Sequence, residues 1–446
     1  MTQDLTFWQS IIALVVGILL IILLTVRFRV HAFFALFAAC LVVGLVIQLP
    51  LTQSIQIAKD GFGHIIGSLA LLIVLGTTLG MLLEYTHSTT VIANFILAKV
   101  GAHRSSLAMN ISGYVVGMPI FCDSGFIVLN GLNKELAIRS GTSLLIMASS
   151  LATGLYAVHC LMPPHPGMAA ATEVVRADFG SVILYGLLVA IPASICGYWW
   201  SNYAGAKIKI RKTDSVVQEE DVKKGHRPSL FFAVLPIMVP ICLIALPSFT
   251  LSHPAETIWE RCLFTLGTPE VALMVGIALV FIGNRNWEKG KITSLLHDGV
   301  EKAAGILVII GAGGAFGAIL GQTKIGEHFA ENMSISDLGV FFPFFVAAIL
   351  KTAQGSSTVA VITAASIVSP LLVVLGLDSD SGRIICALAL GAGSMMVSHA
   401  NDAYFWVIAK FSGLQMKEML KVYSVSTFLM GAVSISFIYL LSLIIL

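Results

Sequence analysis

The chain has 446 residues, 57% of them hydrophobic and only 11% charged, against the ~25% charged residues usual in soluble domains. Those proportions exclude a water-facing surface over most of the chain; the formal net charge of +2 says nothing about nucleic acid, and the lack of any basic and aromatic stripe argues against a nucleic-acid binder. The expected solvent is the lipid bilayer. Unpaired backbone groups are costly in hydrocarbon and the long apolar runs do not alternate, so the expected fold is an all-α polytopic membrane protein.

Taken in chain order, Met1 to Ser10 carry Asp4 but no Lys or Arg, unlike the basic start of a cleaved leader, so the first span is expected to stay. Apolar runs near the ~20 residues of a bilayer crossing follow at Ser10 to Val26 and Ala32 to Leu49, and later at Phe231 to Leu246 and Ser424 to Leu446. The basic residues gather in Arg27/Arg29, Lys99/Arg104, Lys134/Arg139, Gly205 to Ser229, Arg285 to Lys302 and Lys410 to Lys421, which the positive-inside rule assigns to the cytoplasm. Both termini are then expected on the periplasmic side of a bacterial inner membrane. The seven cysteines are scattered without a CxxC pair and are read as small apolar residues.

From Ser105 to Leu132 the chain leaves and re-enters segments assigned to the same side. About 28 residues cannot cross twice at 1.5 Å per residue, so a re-entrant hairpin is expected, turning at Pro119 to Gly125. The next span is interrupted at His159 to Gly167, where three prolines remove helix donors. After the Gly205 to Ser229 linker the pattern returns. Asp60/Asp298, Gly61/Gly299, Gly67/Gly305, Leu69/Leu307, Gly76/Gly314 and Leu82/Leu320 match at a constant offset of 238, an internal repeat. The expected domains are residues 1–204, a linker 205–229, and residues 230–446. Each membrane half would have five crossings and one hairpin, an odd number that inverts the second copy.

Gly311-Ala312-Gly313-Gly314 lacks the Lys-Ser/Thr of a phosphate loop and reads as tight helix packing. The second hairpin is expected over Leu338 to Leu375, turning at Gln354 to Thr358, and the second break at Ser398 to Asp402, with His159 and His399 at equivalent places.

Interrupted backbone at membrane depth is tolerated only inside protein or against a wet cavity, and helix N-termini pointing into one favour an anion. The expected substrate-binding residues are therefore Asp123, Ser124 and Gly125 at the first turn, His159 and His165 at the first break, Lys351, Gln354, Gly355, Ser356, Ser357 and Thr358 around the second turn, and His399, Asn401 and Asp402 at the second break. A charge embedded in the membrane is costly and functional by default, which singles out Asp123 and Lys351; a purely structural ion pair is the alternative. For the histidines and the Ser/Thr run, helix capping is the alternative. No HExxH-type spacing supports a metal-dependent hydrolase, so no enzyme, metal or cofactor is expected.

These residues resemble the gluconate permeases, the GntP family of the ion transporter superfamily, over essentially the whole chain. The resemblance is carried by Pro163-Pro164-His165-Pro166-Gly167, Gln354-Gly355-Ser356-Ser357-Thr358-Val359-Ala360, Gly311 to Phe316, and Ser398 to Asp402 ahead of Phe405-Trp406. It implies uptake of gluconate or a related sugar acid by proton symport, with D-serine as the alternative substrate, in an elevator-type homodimer. The sequence departs from the family pattern at Asp123, where a Glu is expected, at Lys351, where an Arg is expected, and at Tyr404, where a small residue is expected. Asp123 is the expected proton-coupling group: between Phe121 and Phe126 its charge is costly unless a cation pairs with it, and Lys351 is the expected cation. The partners are thus a small anionic substrate, protons, the bilayer and a second copy of the chain.

Overall fold

The computed structural model describes residues 6–208, 228–250, 257–284, 287, 289–324 and 338–446. The expected linker, apart from its two ends, and the loop basic residue Arg285 lie outside the described residues. Every regular element among those described is a helix. In the first half these are α1 (Phe7–Ile22), α2 (Ala32–Val46), α3 (Leu51–Tyr85), α4 (Ser88–Val100), α5 (Ser105–Val116), α6 (Cys122–Ser140), α7 (Leu144–Leu161), α8 (Pro166–Val174) and α9 (Phe179–Ala206). Next come α10 (Leu230–Thr250), α11 (Ile258–Leu266), α12 (Pro269–Gly283) and α13 (Lys289–Gly321). The chain continues with Phe341–Gln354 and Ser357–Val368, a second broken pair Asp380–Ser394 and Ala403–Ser412, and a last helix Met416–Ile445.

Local chemistry sets many of these ends. Thr6 and Gln9 form a reciprocal capping box at α1. Asp178 caps α9 by accepting from the Ser181 amide at 2.7 Å. Pro166 and Pro269 begin α8 and α12, where their missing N–H is no loss.

Seven helices among the described residues are long and apolar enough to cross a bilayer, with an eighth if α11 and α12, bent by 72° at their junction, count as one. The expected ten full crossings are therefore not all plain spans. At 1.5 Å per residue, α2 with its 15 residues is about 22 Å long, short of a ~30 Å core, and the second broken span is made of pieces of 15 and 10 residues. Helix order and bounds recur along the chain at the offset seen in the sequence: α3 begins at Leu51 and α13 at Lys289, α5 ends at Val116 and its counterpart at Gln354, α8 ends at Val174 and its counterpart at Ser412.

The two longest helices, α3 and α13, pack against each other along much of their length, with α2 and α12 beside them. They meet at a glycine crossing. A Cβ on Gly61 would lie 2.6 Å from the Gly314 carbonyl oxygen, and one on Gly314 would lie 2.7 Å from that of Gly61. Small residues let backbones touch where no hydrophobic drive exists between helices in lipid. Gly311 and Gly313 serve the same end, facing Phe62 and Ile362, so the glycine-rich run is helix packing. Further along the same pair, the Thr77 hydroxyl donates to the Gly299 carbonyl at 3.1 Å.

Beside this framework stand the broken elements. α7 is buried at every position from Leu145 to Leu161 and is wrapped by α5, α6 and α9. The last helix packs on α9, Ser357–Val368 packs on α8, and Ala403–Ser412 packs on α6 and α7, so elements of the two halves interleave.

Gly61→Val is expected to destabilise the detergent-solubilised protein by about 1–3 kcal/mol through overpacking, whereas Gly63→Val, whose Cβ would meet nothing within 4 Å, should leave the thermal midpoint nearly unchanged. Equal midpoints for the two variants would remove the glycine crossing as a stability determinant.

Candidate functional site

A helix–turn–helix forms at each expected hairpin, the first turning two residues earlier than expected, so that Asp123, Ser124 and Gly125 are already helical. In the first, α5 ends at Val116, residues 117–121 turn, and α6 starts at Cys122; in the second, Gly355 at φ +87° separates Gln354 from the capping Ser356. The glycine is required there, since a Cβ would lie 2.1 Å from the Asn401 carbonyl oxygen. That contact seats the second hairpin tip directly on the second helix break.

The seat is held by charge. Lys351, wholly buried at 0% exposure in the last turn before the tip, donates from Nζ to Asp402 Oδ2 at 2.6 Å and to the Gly355 carbonyl. Asp402 is N-cap of the following helix. Its Oδ1 accepts from the Tyr404 amide at 3.0 Å, while Oδ2 also accepts from the Ser398 hydroxyl. Both oxygens of this buried carboxylate thus accept hydrogen bonds, as a buried ion requires. Tyr156 of α7 lays its ring 5.9 Å from the Lys351 ammonium, and the Tyr404 ring stacks on Tyr156 at 5.7 Å. His399 and Asn401 lie on the more exposed side of the break, their ring and amide nitrogens at 3.0 and 2.9 Å from the Thr352 carbonyl. Ser356 caps its helix by accepting from the Val359 amide at 3.3 Å.

In the first half the same seating is neutral. His165, N-cap of α8, reaches the Gly117 carbonyl with Nε2 at 2.7 Å. His159, in the last turn of α7, packs its ring 4.7 Å from that of His165 and 6.4 Å from Phe121. Asp123 lies in the first turn of α6 and accepts a 3.2 Å contact from the Cys122 thiol. Gly125 packs against Leu155, so its absent side chain serves contact with α7. The halves meet where a Cβ on Gly167 would lie 3.0 Å from Thr358 Cα, and where Ser357 faces the Cys160 thiol.

Two expectations are corrected. Lys351 pairs with Asp402, not with Asp123, because the residue four positions before the tip glycine points back at the break beneath its own hairpin. His159 and His399 are not equivalent. His159 is still helical, whereas the corresponding second-half helix stops at Ser394 and leaves His399 outside any helix beside the tip, its carbonyl accepting from the Asp402 amide.

Sequence reasoning also missed Lys302. Counted among loop basic residues, it lies instead within α13, half-buried, with Nζ 2.7 Å from Ser124 Oγ and 4.5 Å from the centre of the Phe121 ring. Its charge acts on Asp123, and on Glu84 in the last turn of α3. The available signal was the unbroken helical run on both sides of it. A narrow, partly open crevice lies beside this tip, lined by Thr77, Met118, Pro119, Phe121, His165 and Pro166. His159 Nδ1 and both amide atoms of Gln354 are buried with no hydrogen-bond partner among the described residues.

Replacing Lys351 by Met should strand the buried Asp402 carboxylate and cost about 3–5 kcal/mol. Adding Asp402→Asn to that variant should restore most of the thermal midpoint. No recovery in the double variant would show that the pair is not the tie described.

The chain matches the family model described as GntP family permease over residues 9–444. It is 35% identical to a gluconate permease of Pseudomonas aeruginosa over 97% of both chains. It is 31% identical to the D-serine transporter DsdX of Escherichia coli, over 97% of this chain and 98% of that one. Among solved structures, MtrF of Neisseria gonorrhoeae, described in a class of antimetabolite efflux pumps, is similar in fold with a TM-score of 0.59 at 12% identity, covering 87% of this chain and 84% of that one.

Proposed function

The chain belongs to the GntP family of permeases, and from that premise we propose that it is a secondary active transporter importing a small sugar acid, gluconate or a related hydroxy monocarboxylate, by proton symport. The observation that carries the reading is the pair of hairpin tips seated on two helix breaks, with Lys351, Asp402, Asp123 and the histidines gathered between them. A carboxylate suits tip amides, Ser356, Ser357 and Thr358 hydroxyls and a cation, while a polyol tail suits His165, Asn and amide groups.

On this reading the halves 1–204 and 230–446, joined by the linker 205–229, are inverted repeats with both termini periplasmic. The protein works as a homodimer in the bacterial inner membrane, and the broken elements move as an elevator against the α3–α13 framework. Asp123 is the proton-coupling group: protonated, it leaves a nearby cation free for the substrate anion, so proton and substrate load together.

The alternative, a D-serine/proton symporter, is supported by the likeness to DsdX. It needs an anion free to meet the ammonium. Asp402 is poorly suited, since both its oxygens are engaged. Competition against gluconate uptake by D-serine and by shorter aldonates separates the two.

Asp123→Asn, a mimic of the protonated acid, should still exchange substrate across proteoliposomes but fail to concentrate it under an imposed pH gradient. Accumulation at the native level would exclude Asp123 as the coupling site. Alanine at Ser356, Ser357 or Thr358 should raise the half-saturation concentration about tenfold at unchanged expression, a shift that a purely structural role would not give.

A further inference from the structure

Two lysines reach the hairpin tips, and their surroundings differ. Lys351 is in contact with a carboxylate and a carbonyl. Among the described residues Lys302 meets a hydroxyl and an aromatic face, and no carboxylate there is in ion-pair contact with it. It also stands at the first turn of the 19-residue α6, where the helix dipole already presents positive charge and a cation is disfavoured. A half-buried ammonium placed there is stabilised when an anion joins it. Beside it, His159, 8% exposed, turns an unpartnered Nδ1 among the residues that surround Phe121.

We infer that Lys302, supplied by the framework helix α13, and not Lys351, is the cation that receives the substrate carboxylate, and that Asp123 and the substrate share it in turn. The inference rests on the sugar-acid symport reading and deepens it. The charged and titratable groups around this point are Cys122 beside Asp123 on α6, Glu84 from α3, His159 from α7, and Asp402 and Tyr404 from the second break. With Asp123 ionised, Lys302 has a neighbouring counter-charge and an incoming carboxylate is repelled. With Asp123 protonated, the ammonium is left to the carboxylate, Ser124 and the α6 amides. An amino acid would bring its own ammonium against Lys302, so the same residue selects a plain acid over a zwitterion.

The test is equilibrium binding of gluconate and of D-serine to the purified full-length protein over pH 5 to 8. The native protein should bind gluconate more weakly as pH rises. Lys302→Gln should weaken gluconate binding at least tenfold, flatten its pH dependence and narrow the preference over D-serine. Lys302→Arg should keep both the preference and the pH profile. Glu84→Gln, which removes a competing charge without touching the tip, should tighten gluconate binding a few-fold and tests the idea even where Lys302→Gln is not recovered. A Lys302→Gln protein within about twofold of native with an unchanged pH profile overturns the inference, as does a Glu84→Gln protein that binds more weakly than native. A native protein that binds neither compound overturns the sugar-acid reading itself, and the inference with it, which distinguishes the two failures.

Discussion

The site depends on a single requirement: backbone interrupted inside a hydrocarbon-embedded protein must find its hydrogen-bond partners within the chain. The Lys351–Asp402 pair is the strongest answer to it. One ammonium satisfies the tip carbonyl of Gly355 and an acid oxygen, while the other acid oxygen caps the helix that resumes after the break. Two charges that would each be intolerable alone become a neutral clip between hairpin and break. Gly355 makes the clip possible by letting the tip backbone lie on Asn401.

The first half meets the same requirement with weaker means. Its tip is tied to its break by the neutral His165–Gly117 bond, and a cation reaches it from outside, along α13, to Ser124 and Phe121. The second tip is therefore locked by residues of its own half, and the first is steadied across elements. The two stretches match at a constant offset in several glycines and in helix bounds, while the chemistry at their two tips differs.

The large features were legible in the sequence because they follow from length and punctuation. Runs of apolar residues, the short stretch between Arg104 and Asn133, the prolines at 163, 164 and 166, and the Gly355-Ser356 step each dictate a local backbone outcome, and the helices and breaks fall there. The tips' polar residues were legible for the same reason. Partner choice was not. Whether Lys351 turns to Asp123 or Asp402 depends on how a hairpin is laid over a break some fifty residues away in the chain, and no periodicity encodes that. Lys302 was hidden by its flanks: close to Lys289, Lys291 and Asp298 it reads as part of a charged loop, and only the packing of α13 along α3 brings it to the tip.

α13 joins these two levels of organisation. It carries Gly314, where backbone touches backbone at the crossing with α3, and, twelve residues earlier or about 18 Å along the helix axis, Lys302 at the hairpin tip. At the Gly61–Gly314 contact the two backbones touch directly, so added volume there would force α3 and α13 apart. The contact at the other end is of the opposite kind. A flexible four-carbon stem touches one hydroxyl and one ring face, which costs little to break and can re-form with a different partner. The same helix thus meets its neighbours in two ways, backbone to backbone at Gly314 and through a single flexible side chain at Lys302.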